Sequence, residues 1–231
     1  MRRRRGPAAL AALLGAGALG PAAAAAHSPG PALPDEFIQG AFTPAFVPPP
    51  PGTYELPPIK RVGAFTLRDA AGRTVDTRSV MSGKIAVVSF IYTACPDRLG
   101  CPLASQTLRD LQTRLRESGL ATRTALVSIS FDPERDRPAQ LAKYARVYDA
   151  DPALWRFLTA SSPRALEAVL DSYGQDRSPE RDARGRPTGR IRHVLKVFLV
   201  DPEGFIRNVY SAGFLVPDLV LNDIRTVLGE R

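Results

Sequence analysis

Metal-binding side chains are scarce in this sequence: two cysteines and two histidines among 231 residues. No cysteine lies near residue 26, which excludes a lipid-modified cysteine at the end of the N-terminal leader. Residues 1–26 also contain no acid, so four of the arginines behind the formal charge of +8 belong to the leader. The remaining chain is left with a balance of only +4, and nucleic-acid binding loses most of its compositional support. An apolar fraction of 44% with 23% charged residues excludes a disordered, collagen-like or multi-span membrane protein. No internal repeat is visible.

The N-terminus opens with MRRRR, continues as GPAALAALLGAGALGPAAAAA and ends in small residues. A basic region, an apolar region and an A-x-A-like end are the parts of a secretory signal, with cleavage expected near Ala26. The competing reading is an uncleaved anchor. Pro7–Ala26 is just long enough to span a bilayer, but its Ala and Gly make it weakly hydrophobic, and Gly6, Pro7, Gly20 and Pro21 interrupt it. Residues 27–57 are rich in proline, favour extended polyproline conformation and read as a tether. Residues 58–231 are then the folded domain.

That domain alternates strand and helix. Ala64–Arg68 and Thr74–Asp76 flank an Ala-Ala-Gly turn and predict a hairpin. Ile85–Tyr92 and Thr124–Phe131 are apolar runs of buried-strand length, and Trp155–Leu158 predicts a shorter strand. Helices are expected over Pro102–Glu117, Pro138–Tyr148, Pro163–Tyr173 and Pro217–Leu228, each with proline in its first turn. Leu195–Val200 and Ile206–Tyr210 are expected as strands joined by the turn Asp201–Gly204. The pattern specifies an α/β sandwich with a mixed sheet, parallel through the crossovers and antiparallel at the last hairpin.

Chemistry concentrates in SFIYTACPDRLGCPLASQTL, where Cys95 follows a buried strand and Cys101 stands at the mouth of a helix. A helix N-terminus favours thiolate, the form that attacks disulfides and binds metals. A purely structural bridge there would close a five-residue loop and contribute little stability. His193 lies just before the strand Leu195–Val200, and loops beside the Cys95 loop can bring it to the thiols. Two thiolates and one imidazole suit copper, with Cu(I) preferred and Cu(II) as a second state; a fourth protein ligand for tetrahedral zinc is not evident. His27, in the Pro-rich segment, is expected to stay outside the main site. On spacing alone, His193 is equally well read as a loop histidine without a ligand role.

FIYTACPDRLGCPLASQTLRDLQ, SFDPERDRPAQLAKYA and HVLKVFLVDPEGFIRNVY occur in this order and together resemble the Sco/SenC copper-chaperone family. The resemblance covers nearly all of residues 60–230. It implies a thioredoxin-like fold with an extra N-terminal hairpin and an internal insertion, and it implies copper ligation by Cys95, Cys101 and His193. Three positions depart from the family pattern. Five residues rather than three separate the cysteines, Arg192 stands where members often have Asp, and Arg137 replaces a Thr. Asp132 and Asp136 are read either as groups near the site or as a turn and helix cap before Pro138.

The implied function is export to the periplasm or the outer face of the inner membrane. There a monomer would pass copper to a respiratory oxidase subunit or another copper acceptor, without nucleic acid. A thiol–disulfide reductase acting on that acceptor, with Cys95 as nucleophile and Cys101 as resolving thiol, is the second reading. Against a general reductase, HVLKVFLV lacks the proline that faces the thiols in thioredoxin-type enzymes. Against a peroxiredoxin, Tyr92 occupies the position that would require Thr. No bond in a small substrate need be broken, so enzyme activity is not required by this reading.

Overall fold

The computed structural model describes residues 47–229. The expected leader, His27 and the first part of the Pro-rich segment lie outside the described residues. The two strongest apolar runs form β4 (Ile85–Ile91) and β5 (Thr124–Ser130), and every residue of both is buried. They pair in parallel from Ile85 opposite Thr124 to Ile91 opposite Ser130, so the two strands end level. Parallel pairing requires a crossover, and α2 (Cys101–Glu117) supplies it, with Leu108, Leu111 and Leu115 fully buried. A second crossover through α3 (Pro138–Val147) leads to β6 (Trp155–Thr159), parallel to β5.

The sheet is completed by antiparallel strands. On the other side of β4 lies β9 (Val197–Val200), followed by its hairpin partner β10 (Phe205–Tyr210). The turn between them is closed by the Asp201 carboxylate, which accepts from the Phe205 N–H, and by Gly204 at φ 87°. The N-terminal hairpin, β2 (Thr66–Asp69) and β3 (Thr74–Asp76), extends the far edge through β6, while β1 (Lys60–Arg61) pairs with β10 at the opposite edge. The spatial order is β1-β10-β9-β4-β5-β6-β2-β3.

Both faces of this sheet are covered. On one, Phe90 and Phe198 meet Tyr173 of α4 (Pro163–Tyr173), with ring centroids 5.3 and 5.2 Å from it. On the other, Ser89 bonds Ser128 at 2.8 Å and Trp155 Nε1 donates to Ser128 Oγ, so these buried polar groups are satisfied. Tyr144 of α3 and Tyr148 at its C-cap pack on Phe157 and Trp155. Beside α2 lies α5 (Pro217–Val227), tied to it by the Arg114–Asp218 ion pair at 2.7 Å. Residues before position 58 run along α5: Asn222 donates to the Pro49 carbonyl, Gly52 N–H donates to Thr226, and Tyr54 donates to Asp223.

Four elements go beyond the sequence expectations. The strand β1 has two residues, and α1 (Thr77–Met81) is a single capped turn; neither is long enough to show a periodicity. More consequential is a two-stranded hairpin outside the main sheet, β7 (Arg177–Arg181) and β8 (Pro187–His193). Its residues are mostly exposed on both faces, so the apolar alternation that marks a strand is missing. The signal it does carry is its turn. The Asp182 carboxylate accepts from the N–H groups of Arg184 and Arg186, and Gly185 adopts φ 77°.

Candidate metal centre

Strand directions bring the three ligand candidates together. Because β9 runs antiparallel to β4, with Val197 opposite Ser89, the chain entering β9 arrives at the end of β4 from which the Cys95 loop departs. His193 is the last residue of β8 and not a free loop residue, so the hairpin fixes where its side chain stands. The ligand atoms of Cys95, Cys101 and His193 all lie within 4.8 Å of one another. Cys101 Sγ and His193 Nε2 are 3.6 Å apart, and both thiols are free.

The thiol loop is built from local hydrogen bonds. Cys95 N–H donates to the Tyr92 carbonyl at 3.2 Å, Leu99 N–H to the Asp97 carboxylate at 3.0 Å and Gly100 N–H to the Asp97 carbonyl at 3.1 Å. Gly100 precedes α2, and a Cβ there would lie 3.3 Å from the Asp97 carboxylate, so the two extra residues between the cysteines fold as a tight turn against Asp97. Cys101 is the first residue of α2 and fully buried, with the Tyr92 N–H 3.4 Å from its sulfur. Cys95 is only half-buried.

Environment separates the two thiols. Hydrogen bonding from Cys101, reinforced by backbone N–H groups, stabilises the Cys95 thiolate and brings its pKa down to about 5. Burial, followed by the neighbouring Cys95 charge, pushes Cys101 well above the ordinary thiol range. One proton is thus held on the inner sulfur while the outer one carries charge. Burial and the same charge push the Tyr92 hydroxyl up to about 12.

The imidazole is oriented by its other nitrogen. His193 Nδ1 lies 3.0 Å from the Ile191 carbonyl, which can only accept, so Nδ1 carries the proton and Nε2 offers its lone pair toward the thiols. Tyr92 and Phe131 hold the ring, with centroids 5.6 and 4.7 Å away. The hairpin is fastened by two arginines: Arg135 Nη2 donates to the Gly189 carbonyl at 2.6 Å, and Arg177 Nη1 to the Phe131 carbonyl at 2.7 Å.

Asp136 stands behind the thiol loop. Its carboxylate accepts from Thr93 Oγ1 at 2.6 Å, Thr93 N–H at 3.1 Å and Ser130 Oγ at 2.6 Å, and it is almost completely buried. Desolvation raises its pKa. The helix-cap alternative for Asp136 is corrected: residue 137 occupies the cap position of α3, which has no side-chain cap, and Asp136 instead clamps the residue two before Cys95. Asp132 does form the expected turn, paired with Arg135 at 2.5 Å. Sequence reasoning misses Thr93 and Arg135 as supporting residues because their partners are 43 and 54 positions away.

A half-exposed thiolate, a buried thiol and an oriented imidazole can hold one soft cation or perform thiol–disulfide exchange. An α/β sheet of this topology with a thiol pair between the central strand and its following helix defines a thioredoxin-like protein. The match to the SCO1/SenC family extends over residues 55–229, and the chain belongs to that family. Among curated relatives, the SCO1 protein homolog of Bacillus subtilis is 28% identical over 179 residues, covering 76% of this chain and 84% of its own. Arabidopsis thaliana ScoI, solved with copper bound, aligns with a TM-score of 0.61 at 25% identity, covering 72% of this chain and 97% of that one. BsSco, described as having a disulfide switch and as a member of the Sco family of cytochrome c oxidase assembly proteins, aligns with a TM-score of 0.59 at 27% identity, covering 74% and 95%.

Proposed function

We propose that this chain is an exported copper chaperone in which Cys95, Cys101 and His193 hold Cu(I) as cargo for a respiratory acceptor such as the copper centre of cytochrome c oxidase. The observation that carries the proposal is the convergence of two sulfurs and one imidazole nitrogen within 4.8 Å, with no further protein ligand in that group among the described residues. Copper in the solved Arabidopsis relative and the assembly role described for BsSco support the cargo and its destination. Cu(II) is a second form that the imidazole can serve.

The three side chains divide the work. Cys101 is the buried anchor. His193 presents Nε2 because Ile191 fixes its tautomer. Cys95 is the accessible ligand, already a thiolate at neutral pH, and therefore the one that an incoming acceptor thiolate displaces by ligand exchange. Residues 1–26 act as the export signal or, if uncleaved, as an anchor through residues 7–26, and the Pro-rich residues ahead of the segment docked on α5 act as the tether. The domain works as a monomer in the periplasm or on the outer face of the inner membrane.

The low pKa of the accessible Cys95 beside a buried Cys101 also favours a second reading, reduction of a disulfide in the acceptor, with Cys95 attacking and Cys101 resolving. Copper retention by His193→Ala, measured on reduced protein against wild type, separates the two. A carrier loses most of its copper in this variant, whereas a reductase keeps its disulfide turnover. Unchanged copper retention together with preserved turnover rejects the chaperone reading.

A further inference from the structure

The charge of residues 27–231 is not spread over the domain. That part of the sequence has a net formal charge of +4, and the 17 residues of the β7–β8 hairpin account for all of it. Arg177, Arg181, Arg184, Arg186, Arg190 and Arg192 stand there against Glu180 and Asp182 alone. Outside the hairpin, acids and bases cancel.

Placement makes this excess relevant to the metal centre. His193 is the last residue of β8, Arg192 is its neighbour, and Arg190 lies about 10 Å back along the strand at the usual strand rise. Alternation separates the faces. His193 and Ile191 turn toward Phe131 and Tyr92, while Arg190 and Arg192 take the opposite, outer face, where Ser178 lies opposite Arg192. Arg177 belongs to the inner face and is paired with Glu167 at 2.7 Å. Of the rest, Arg186 is held by Asp182, and Arg190 reaches Glu180 only at 4.0 Å with its side chain 61% exposed. Among the described residues, Arg181, Arg184 and Arg192 form no ion pair, and the Arg181 guanidinium donates to the Gly185 carbonyl.

Arg184, Arg190 and Arg192 are exposed and hold nothing of the core in place. The hairpin is fixed by its Asp182 turn, by Arg135 and by Arg177, so the outer guanidiniums repel one another without stabilising the core. We infer that the outer face of the β7–β8 hairpin is a docking surface for an acidic protein, the one that exchanges copper with the Cys95–Cys101–His193 centre. This rests on the chaperone reading above, whose partner it specifies: a protein with a carboxylate-rich rim around its own copper ligands.

An anionic bilayer fits less well. From Arg177 to His193 the outer face offers no large apolar side chain to insert, and the exposed Val194 just beyond β8 is too small an anchor by itself. The arginine face adjoins the metal centre at the Arg192–His193 end of β8, so a protein with an acidic rim held there has its own ligands beside the site, and such steering acts chiefly on the association rate.

The test uses two labelled Cys-x-x-Cys peptides, one flanked by glutamates and one by lysines. Association with the copper-free reduced protein is followed by fluorescence anisotropy, and Cu(I) transfer from the loaded protein by competition. At about 20 mM NaCl the Glu peptide is expected to bind and to take copper roughly tenfold faster than the Lys peptide, and the difference should disappear near 0.5 M NaCl. The variants Arg184→Gln/Arg190→Gln and Arg184→Glu/Arg190→Glu should retain copper, remove the preference and reverse it, respectively. Equal behaviour of the two peptides at low salt overturns the inference. So does loss of binding to phosphatidylglycerol vesicles in these variants with peptide preference intact, which would assign the face to lipid. If the wild type fails to hold copper, the chaperone reading fails, while anisotropy on the copper-free protein still decides whether the hairpin selects acidic partners.

Discussion

The two halves of the candidate metal centre are built on opposite terms. Cys101 opens a helix behind a fully buried strand, and Asp136 clamps the loop between them with two hydrogen bonds from Thr93 and a third from Ser130 of β5. His193 comes from a two-stranded hairpin outside the main sheet, most of whose residues face solvent and whose attachment rests on two arginines. The thiol half is therefore coupled to the stability of the domain. The imidazole half is coupled only to the position of the hairpin. A carrier benefits from such a division, because one sulfur stays anchored while the other ligands remain open to exchange.

The largest expected effect tests the thiol half. Cys101→Ser should abolish retention of Cu(I) through purification, since the buried anchor is replaced by a hard hydroxyl. His193→Ala should strip most of the bound copper, since one of three ligands is lost, while costing about 1 kcal/mol or less in urea unfolding. Copper analysis and unfolding of the same samples check both. A large stability loss in His193→Ala would break the comparison by making the hairpin part of the core.

Asp136→Ala should show the converse. Three hydrogen-bond donors lose their acceptor, two of them from the loop at Thr93, and unfolding should become easier by about 2–4 kcal/mol. Because the Asp136 pKa is raised, its charged form carries a burial penalty that is fully present above the raised value and relieved as pH falls through it. Asp136→Asn should remove that dependence in a comparison of urea midpoints between acidic and neutral pH.

The difference between the thiols is sharpened by alkylation of reduced, metal-free protein. Cys95 should react with a half-point near pH 5, its thiolate being lost only below that value, while Cys101 stays protected across the neutral range. Peptide mapping after iodoacetamide treatment reads both sites. The smallest effect is expected for Arg135→Ala. It removes the hydrogen bond to Gly189 and should lower copper affinity only a few-fold, because Arg177 still holds the hairpin to Phe131.

Most of the sheet was legible because its strands are strongly apolar. Ile85–Ile91 and Thr124–Ser130 lie within the expected runs, and the helices begin at or beside their prolines. The cysteines were legible as a pair because they flank one strand-to-helix junction. The hairpin was not, since RSPERDARGRPTGRIRH has neither apolar alternation nor a buried face, and strand formation there depends on the Asp182 turn and on arginines that reach it from elsewhere or back to the core.

Sequence by itself determined the alternating α/β pattern, the thiol loop and the resemblance that places the chain in the SCO1/SenC family, because these reside in short stretches whose periodicity and spacing are local. Tertiary structure alone decided that His193 meets Cys101 across 92 positions, that its Nε2 is the free nitrogen, that one thiol is charged and the other protonated, and that Asp136 serves the loop and not a helix. The reason is physical. Each of these depends on distance, burial or a donor supplied by a different element, and none of those quantities exists until β9 has paired antiparallel with β4 and the hairpin has closed over Phe131.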